Sequence, residues 1–303
     1  MRLHILHETH YRYSSEVVLS QQLLHLTPRT LPWQACLAHR ITVEPKPGEF
    51  DERADYYGNR TVHVLLAAPH VELLVRADSE INVEPREKAA LAAPQVPWEA
   101  LRERLHALDA PPPLEPAEFL YESPHVETWR ELAEYAGKSF PRGRGALEAA
   151  LDLAHRIHKD FTFDRKATSV STPLRQVVKQ RRGVCQDFAH LMIGCLRSLG
   201  LPACYVSGYI LTAPPPGRPR RVGADASHAW VSAWCGEQAG WVDIDPTNDC
   251  VVDDEHVTLG WGRDFGDVTP MRGVILGGGE QELEVRVTVS PIAEAPIESA
   301  HHA

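Results

Sequence analysis

The stretch that most restricts how this chain can fold is residues 185–199, CQDFAHLMIGCLRSL. Phe188, Leu191, Met192, Cys195 and Leu199 recur at helical spacing, and Ala189, Ile193 and Leu196 fill the flanks. A helix that is apolar around most of its circumference has to be enclosed, so other elements must surround it. Gly200 and Pro202 stop it. Upstream, Thr172-Pro173 reads as a helix start, with Leu174, Val177 and Val178 as the apolar face. Arg181, Arg182 and Gly183 end that helix, with the glycine expected to take the left-handed conformation. Two further stripes precede it: Trp129, Leu132, Ala133 and Ala136, then Leu147, Ala150, Leu151, Ala154 and Ile157. Downstream the character changes to strands, ACYVSGYIL, SHAWVSAW and GWVDID. The expected centre is therefore a buried cysteine helix packed on an antiparallel sheet.

The first 85 or so residues read differently. In LHILHETHYRY, Leu3, Ile5 and His7 lie on one side of a strand. CLAHRITVEP and VELLVRADSEINVEP are rich in β-branched and aliphatic residues, and Gly58-Asn59 in DYYGNRTVHVLL suits a hairpin turn. Short strands with turn signals predict an antiparallel β-sandwich. The overall class is α+β, divided as a sandwich over 1–85, a Pro- and Ala-rich linker over 86–124, a second domain over 125–295 and a tail over 296–303. The linker holds one short helical pattern near Trp98–Leu108, and QELEVRVTVSP supplies a last strand.

A formal net charge of −10 argues against nucleic acid or acidic membranes as partners. No run approaches the ~18 apolar residues of a membrane span. His and Glu in MRLHILHETHYRY interrupt any signal-peptide core, so a cytoplasmic protein is expected. The six cysteines, Cys36, Cys185, Cys195, Cys204, Cys235 and Cys250, form no CxxC pair and read as free thiols.

Most of these thiols are expected to pack as small hydrophobes, and Cys195 lies on the apolar stripe. Cys185 differs because it stands where the first helical turn begins. Unpaired N–H groups there favour a thiolate and can hold an oxyanion. A thiol nucleophile needs an imidazole base oriented by a carboxylate. Among 16 histidines, His228 is singled out by position, because SHAWVSAW and GWVDID are consecutive strands joined by CGEQAG. Pairing Trp234 with Ala239 sets His228 opposite Asp245 on one face, with Asp243 as the rival one step away.

GVCQDFAHL, CLRSLGLPACYVSGYI, ASHAWVSAW and GWVDIDPTN, in that order, resemble the bacterial transglutaminase-like superfamily. YRYSSEVVLSQQLLHLTPR, DYYGNR and GRDFGDVTPMRGVILGGG resemble the same group, so the likeness spans most of the chain outside the linker. The resemblance implies a papain-like fold, with Cys185 as nucleophile, His228 as general base and acid, and Asp245, at the head of Asp-Pro-Thr, as orienting carboxylate. It implies no cofactor and no metal. The substrate would be a protein or peptide amide, and a homo-oligomer is left open. Eukaryotic members of the fold use an upstream tryptophan beside the transition state. Here the nearest upstream one is Trp129, far from Cys185, and Gln180 and Gln186 are the candidates for a second oxyanion donor. The expected chemistry is hydrolysis through a thioester. Acyl transfer to an amine and a silent interaction module are the alternatives.

Four weaker signals invite functional readings. His4, His7 and His10 in HILHETH cannot converge on one ion from a strand, where positions three apart face opposite ways. His155 and His158 share a helix face without an evident third ligand. PPPGRPRR, residues 214–221, could overhang the site and choose acidic or extended substrates, but reads first as a solvated loop. Trp230, Trp234 and Trp241 alternate with small residues and read as packing.

Overall fold

A computed structural model describes residues 1–86, 89–92, 94–107, 114–212 and 227–292. The basic loop 214–221 and the tail 296–303 lie outside the described residues. Elements run in the order β1 (Arg2–Leu24), β2 (Gln34–Glu44), β3 (Glu49–Ala54), β4 (Arg60–Leu66), β5 (His70–Val83), α1 (Ala89–Ala92), α2 (Trp98–Leu105), α3 (Leu114–Ala117), α4 (Arg130–Gly137), α5 (Ala146–Asp160), β6 (Thr162–Phe163), α6 (Leu174–Gln180), β7 (Arg182–Gly183), α7 (Cys185–Ser198), β8 (Ala203–Ile210), β9 (Ser227–Trp234), β10 (Trp241–Asp245), β11 (Cys250–Val251), β12 (His256–Gly262), β13 (Met271–Gly277) and β14 (Gln281–Pro291). No helix among the described residues is long and apolar enough to cross a membrane.

The N-terminal unit is built on one 23-residue strand, β1. Its first half pairs with β5 and β14, and its second half with β4 and β13. An irregularity between Arg12 and Val17 separates the halves, and such an interruption lets a strand turn from one sheet layer to the next. Val62, Val64 and Leu66 from one half then share a core with Leu73, Val75 and Ala77 from the other. Leu3, Ile5 and His7 are all buried, as their alternation requires.

The closing strand forms where QELEVRVTVSP predicts it, but it joins the N-terminal sheet and not the second domain's. Val287 and Val289 explain the choice. They bury beside Leu3, Ile5, Ile81 and Val83, filling the flank of β1 that β5 leaves open.

In the second unit α7 is the enclosed helix. Helices α4, α5 and α6 cover one side, and β8 and β9 the other. Its sheet has the order β11-β10-β9-β8-β12. Gly183 is not the left-handed residue; Arg181 is, at φ 52°, and it closes α6 so that β7 can run parallel to β6.

Strand β12 ends that sheet and would expose an unpaired edge. Two side-chain amides of the N-terminal unit take the place of a further strand. Gln34 Nε2 donates to Thr258 O at 2.8 Å while Gln34 Oε1 accepts from Thr258 N at 2.7 Å. Asn59 Nδ2 donates to Trp261 O at 2.8 Å and Asn59 Oδ1 accepts from Trp261 N at 3.0 Å. A register shift between Thr258 and Gly260 turns both backbone pairs toward the same edge. Arg29 lies 3.5 Å over the Trp261 ring and donates to Asn59 Oδ1. Asn59→Ala strands the Trp261 N–H and C=O, and Gln34→Ala strands the Thr258 N–H while Arg29 N still donates to Thr258 O, so each is expected to lower stability by about 1–3 kcal/mol in thermal or urea unfolding. Unchanged unfolding in both variants would show that the amides do not hold the edge.

Candidate active site

Cys185 is the first residue of α7 and is half-buried. Its position follows from how the helix starts. Asp187, in the first turn, reaches back so that its Oδ2 accepts from Val184 N at 2.8 Å, and Thr168 Oγ1 donates to the same oxygen at 2.6 Å. This caps the N-terminus from inside and leaves the N–H groups of Cys185 and Gln186 in the open first turn. Burial raises the Asp187 carboxyl, against the pull of these two hydrogen bonds. Gly183 owes its identity to this cap, since a Cβ there would stand 2.6 Å from Asp187 Oδ2.

His228 lies near the start of β9 and Asp245 at the end of β10. The hairpin between them is longer than expected. Trp241, not Ala239, pairs with Trp234, and Ile244 pairs with Val231. Gly236 and Gly240 take positive φ, 99° and 68°, and residues 235–240 form a closed loop with Cys235 N donating to Gly240 O. The register therefore slips by two, and Asp245 is a diagonal neighbour of His228 instead of facing it. The diagonal still brings the groups together, because His228 Nε2 donates to Asp245 Oδ2 at 2.6 Å. The slip removes Asp243 as rival. Asp243 Oδ2 accepts from Arg86 Nη1 at 2.7 Å and from Trp230 Nε1 at 3.2 Å.

Cys185, His228 and Asp245 meet. The Cys185 sulfur lies next to the His228 ring, close enough to raise its imidazole. With Nε2 committed to Asp245, Nδ1 is the ring nitrogen left for the sulfur. Burial opposes charge on His228, but the hydrogen bonds of Asp245 and Cys185 outweigh it and raise the imidazole to about 10. Burial likewise works against a charged Asp245, which has no solvent exposure, yet its donors hold the carboxyl far below the usual range. The pair is thus an imidazolium–carboxylate beside the Cys185 sulfur.

Three partners of Asp245 escaped the sequence reading. Asn248 Nδ2 donates to Oδ2 at 2.6 Å, while Thr247 N donates to Oδ1 at 2.8 Å, so Asp-Pro-Thr-Asn forms a turn around its own carboxylate. That turn chemistry was the available signal. His256, from β12, donates Nε2–H to Oδ2 at 3.2 Å, and nothing in the local sequence pointed to it. His228, Asp245 and His256 each offer one metal-ligand atom within 4.8 Å of the others, and the two imidazole hydrogen bonds to Asp245 account for that closeness.

The other candidates sit elsewhere. Gln180 is exposed at the end of α6, and Gln186 Nε2 donates to Val170 O at 3.4 Å. Trp129 packs under Arg175, 4.4 Å from the guanidinium. Cys195 is fully buried in the core. His4 pairs with Asp78, His7 is buried against Tyr209 and His10 faces Glu72. His155 bonds Asp249 and His158 bonds Thr247 O. Trp230 is buried, and Trp234 meets Trp241 edge-on at 5.5 Å.

Residues 3–82 match the bacterial transglutaminase-like N-terminal region, and residues 134–246 match the transglutaminase-like superfamily. An uncharacterized protein of Mycobacterium tuberculosis is 41% identical over 296 residues, 96% of this chain and 93% of that one. A protein-glutamine gamma-glutamyltransferase of Pseudomonas aeruginosa is 37% identical over 105 residues, 34% of this chain and 15% of that one. A candidate cysteine protease from Cytophaga hutchinsonii, solved by crystallography, superposes with a TM-score of 0.73 at 20% identity, covering 97% of this chain and 92% of that one. That likeness shows a shared fold across both units.

Proposed function

The chain belongs to the transglutaminase-like superfamily, and from that membership and the site's geometry we propose that it is a cysteine hydrolase acting on a peptide or other amide. One observation carries the reading: His228 hydrogen-bonds a carboxylate with no solvent exposure, and the Cys185 thiol at the start of α7 lies against the same ring. In this reading the thiol proton already rests on His228 as imidazolium, and the thiolate sulfur adds to the substrate carbonyl carbon. The oxyanion forms at the mouth of α7, where the Cys185 N–H is free to donate. Collapse of the adduct breaks the C–N bond, and the departing nitrogen takes the proton from His228. Water, deprotonated by His228, then opens the thioester, and the acid leaves as the thiol is restored. Asp245 holds the ring through both halves of the cycle.

The P. aeruginosa relative favours a second reading, in which an amine replaces water at the thioester. Intact-mass spectrometry after mixing with peptide pools containing Gln or Asn tests the common step, through a mass gain on Cys185. Adding a primary amine separates the readings: free acid is the expected product, and an amide product would establish transfer. No adduct from any pool, together with iodoacetamide labelling of Cys185 no faster than that of an ordinary thiol of pKa about 8.5, would sink both.

A further inference from the structure

We propose that a cationic strip beside the nucleophile selects acidic acyl donors, that is, peptides with carboxylates flanking the reacting amide; this rests on the cysteine-hydrolase reading. Residues 159–182 carry seven basic side chains (Lys159, Arg165, Lys166, Arg175, Lys179, Arg181 and Arg182) against Asp160 and Asp164, in a chain whose net charge is −10. The fold brings this reversal of sign to Cys185. Strands β6 and β7 pair in parallel, with Phe163 beside Gly183. Asp164 N then donates to Gly183 O at 2.9 Å, and Thr168 Oγ1 donates to Asp187 Oδ2 at 2.6 Å. The span 164–168 is therefore fastened on both sides of Cys185, two residues before it and two after. Arg165 and Lys166 stand exposed between those fastenings.

The acidic residues nearby are engaged. Asp160 accepts from Tyr135 Oη, Asp164 accepts from Lys166 N and faces Arg182 at 3.9 Å, and Glu127 pairs with Arg175. Among the described residues, Arg165, Lys166 and Lys179 have no carboxylate partner. Arg182 is three residues before the nucleophile, at most about 10 Å along the backbone. That is about one screening length, roughly 10 Å, at 0.1 M salt, so Arg182 and the fastened Arg165 and Lys166 act on an anion approaching the sulfur. An anionic donor arrives against an otherwise repellent protein surface, which makes the strip a selector as well as an attractor.

The experiment compares alkylation of Cys185 by iodoacetate, which carries a negative charge, with alkylation by neutral iodoacetamide, in wild type and in the double variant Arg165→Glu/Lys166→Glu. Any contribution of His228 is common to both proteins. The iodoacetate-to-iodoacetamide rate ratio is expected to fall about three- to tenfold in the double variant at low ionic strength, and the difference to shrink in 0.5 M salt. Acylation by Glu-flanked peptides should drop relative to Lys-flanked ones in the same variant. An equal ratio in the two proteins would overturn the proposal while leaving the nucleophile intact. Labelling no faster than a free thiol by either reagent would overturn the nucleophile and this proposal with it.

Discussion

Cys185→Ala is expected to abolish the acyl adduct and lower amide turnover by about 10⁴-fold or more, because the residual rate then comes from binding and oxyanion stabilisation alone. The fold should survive, since the residue removed is small and half-buried at a helix end that Asp187 caps. The remaining five thiols give this experiment its contrast. Burial pushes each of them up, Cys250 to about 11 and Cys235 to about 12, with Cys195 and Cys204 higher still and Cys36 raised as well. Brief alkylation near neutral pH should therefore place one label on wild type and none on Cys185→Ala. A variant that still acquires the adduct, or labels to the same extent, would refute the assignment.

Asp245→Ala should be the second largest change, because it acts on activity and on stability at once. Turnover is expected to fall about 10³–10⁴-fold through loss of the ring's orientation. Removing one partner of a buried charge pair costs about 3–5 kcal/mol, and Asn248 and His256 lose their acceptor as well. The pH dependence has a definite sign. His228 sits at about 10 against an unfolded value near 6.5, so its contribution is complete below about 6.5 and is lost as pH rises toward 10. Asp245 is depressed, so its contribution is complete above about 4 and is lost only at strongly acid pH. Burial lowers His7 to about 4, so its contribution is lost as pH falls from about 6.5 toward that value. Thermal stability should peak near pH 6.5 and decline on both sides. Asp245→Asn, which keeps the shape without the charge, should flatten the alkaline flank. An unchanged flank in that variant would mean that another group holds the proton on His228.

The local elements were legible where one residue pattern had one physical solution. The stripe Phe188–Leu199 could be satisfied only by a central helix, and α7 is one. Gly58-Asn59 forms the connection between β3 and β4, with Gly58 at φ 71°. The meeting of His228 with Asp245 was legible for a partly mistaken reason. The strands and the face were right, but Gly236 and Gly240 lengthen the loop and turn a direct pair into a diagonal one. Strand pleating tolerates that slip because a shift of two keeps the face.

By itself, then, the sequence determined which segments become helix and strand, which thiol begins a buried helix, and which imidazole and carboxylate share a sheet face. These are consequences of short-range periodicity and turn chemistry. The tertiary structure alone decided three things. It placed β14 on the N-terminal sheet, brought His256 to Asp245 from another strand, and laid Gln34 and Asn59 along the open edge of β12. Each joins residues distant in sequence or in topology, and the partner is selected by an unfilled flank, an unpaired backbone edge or a buried charge that exists only once the sheets have formed.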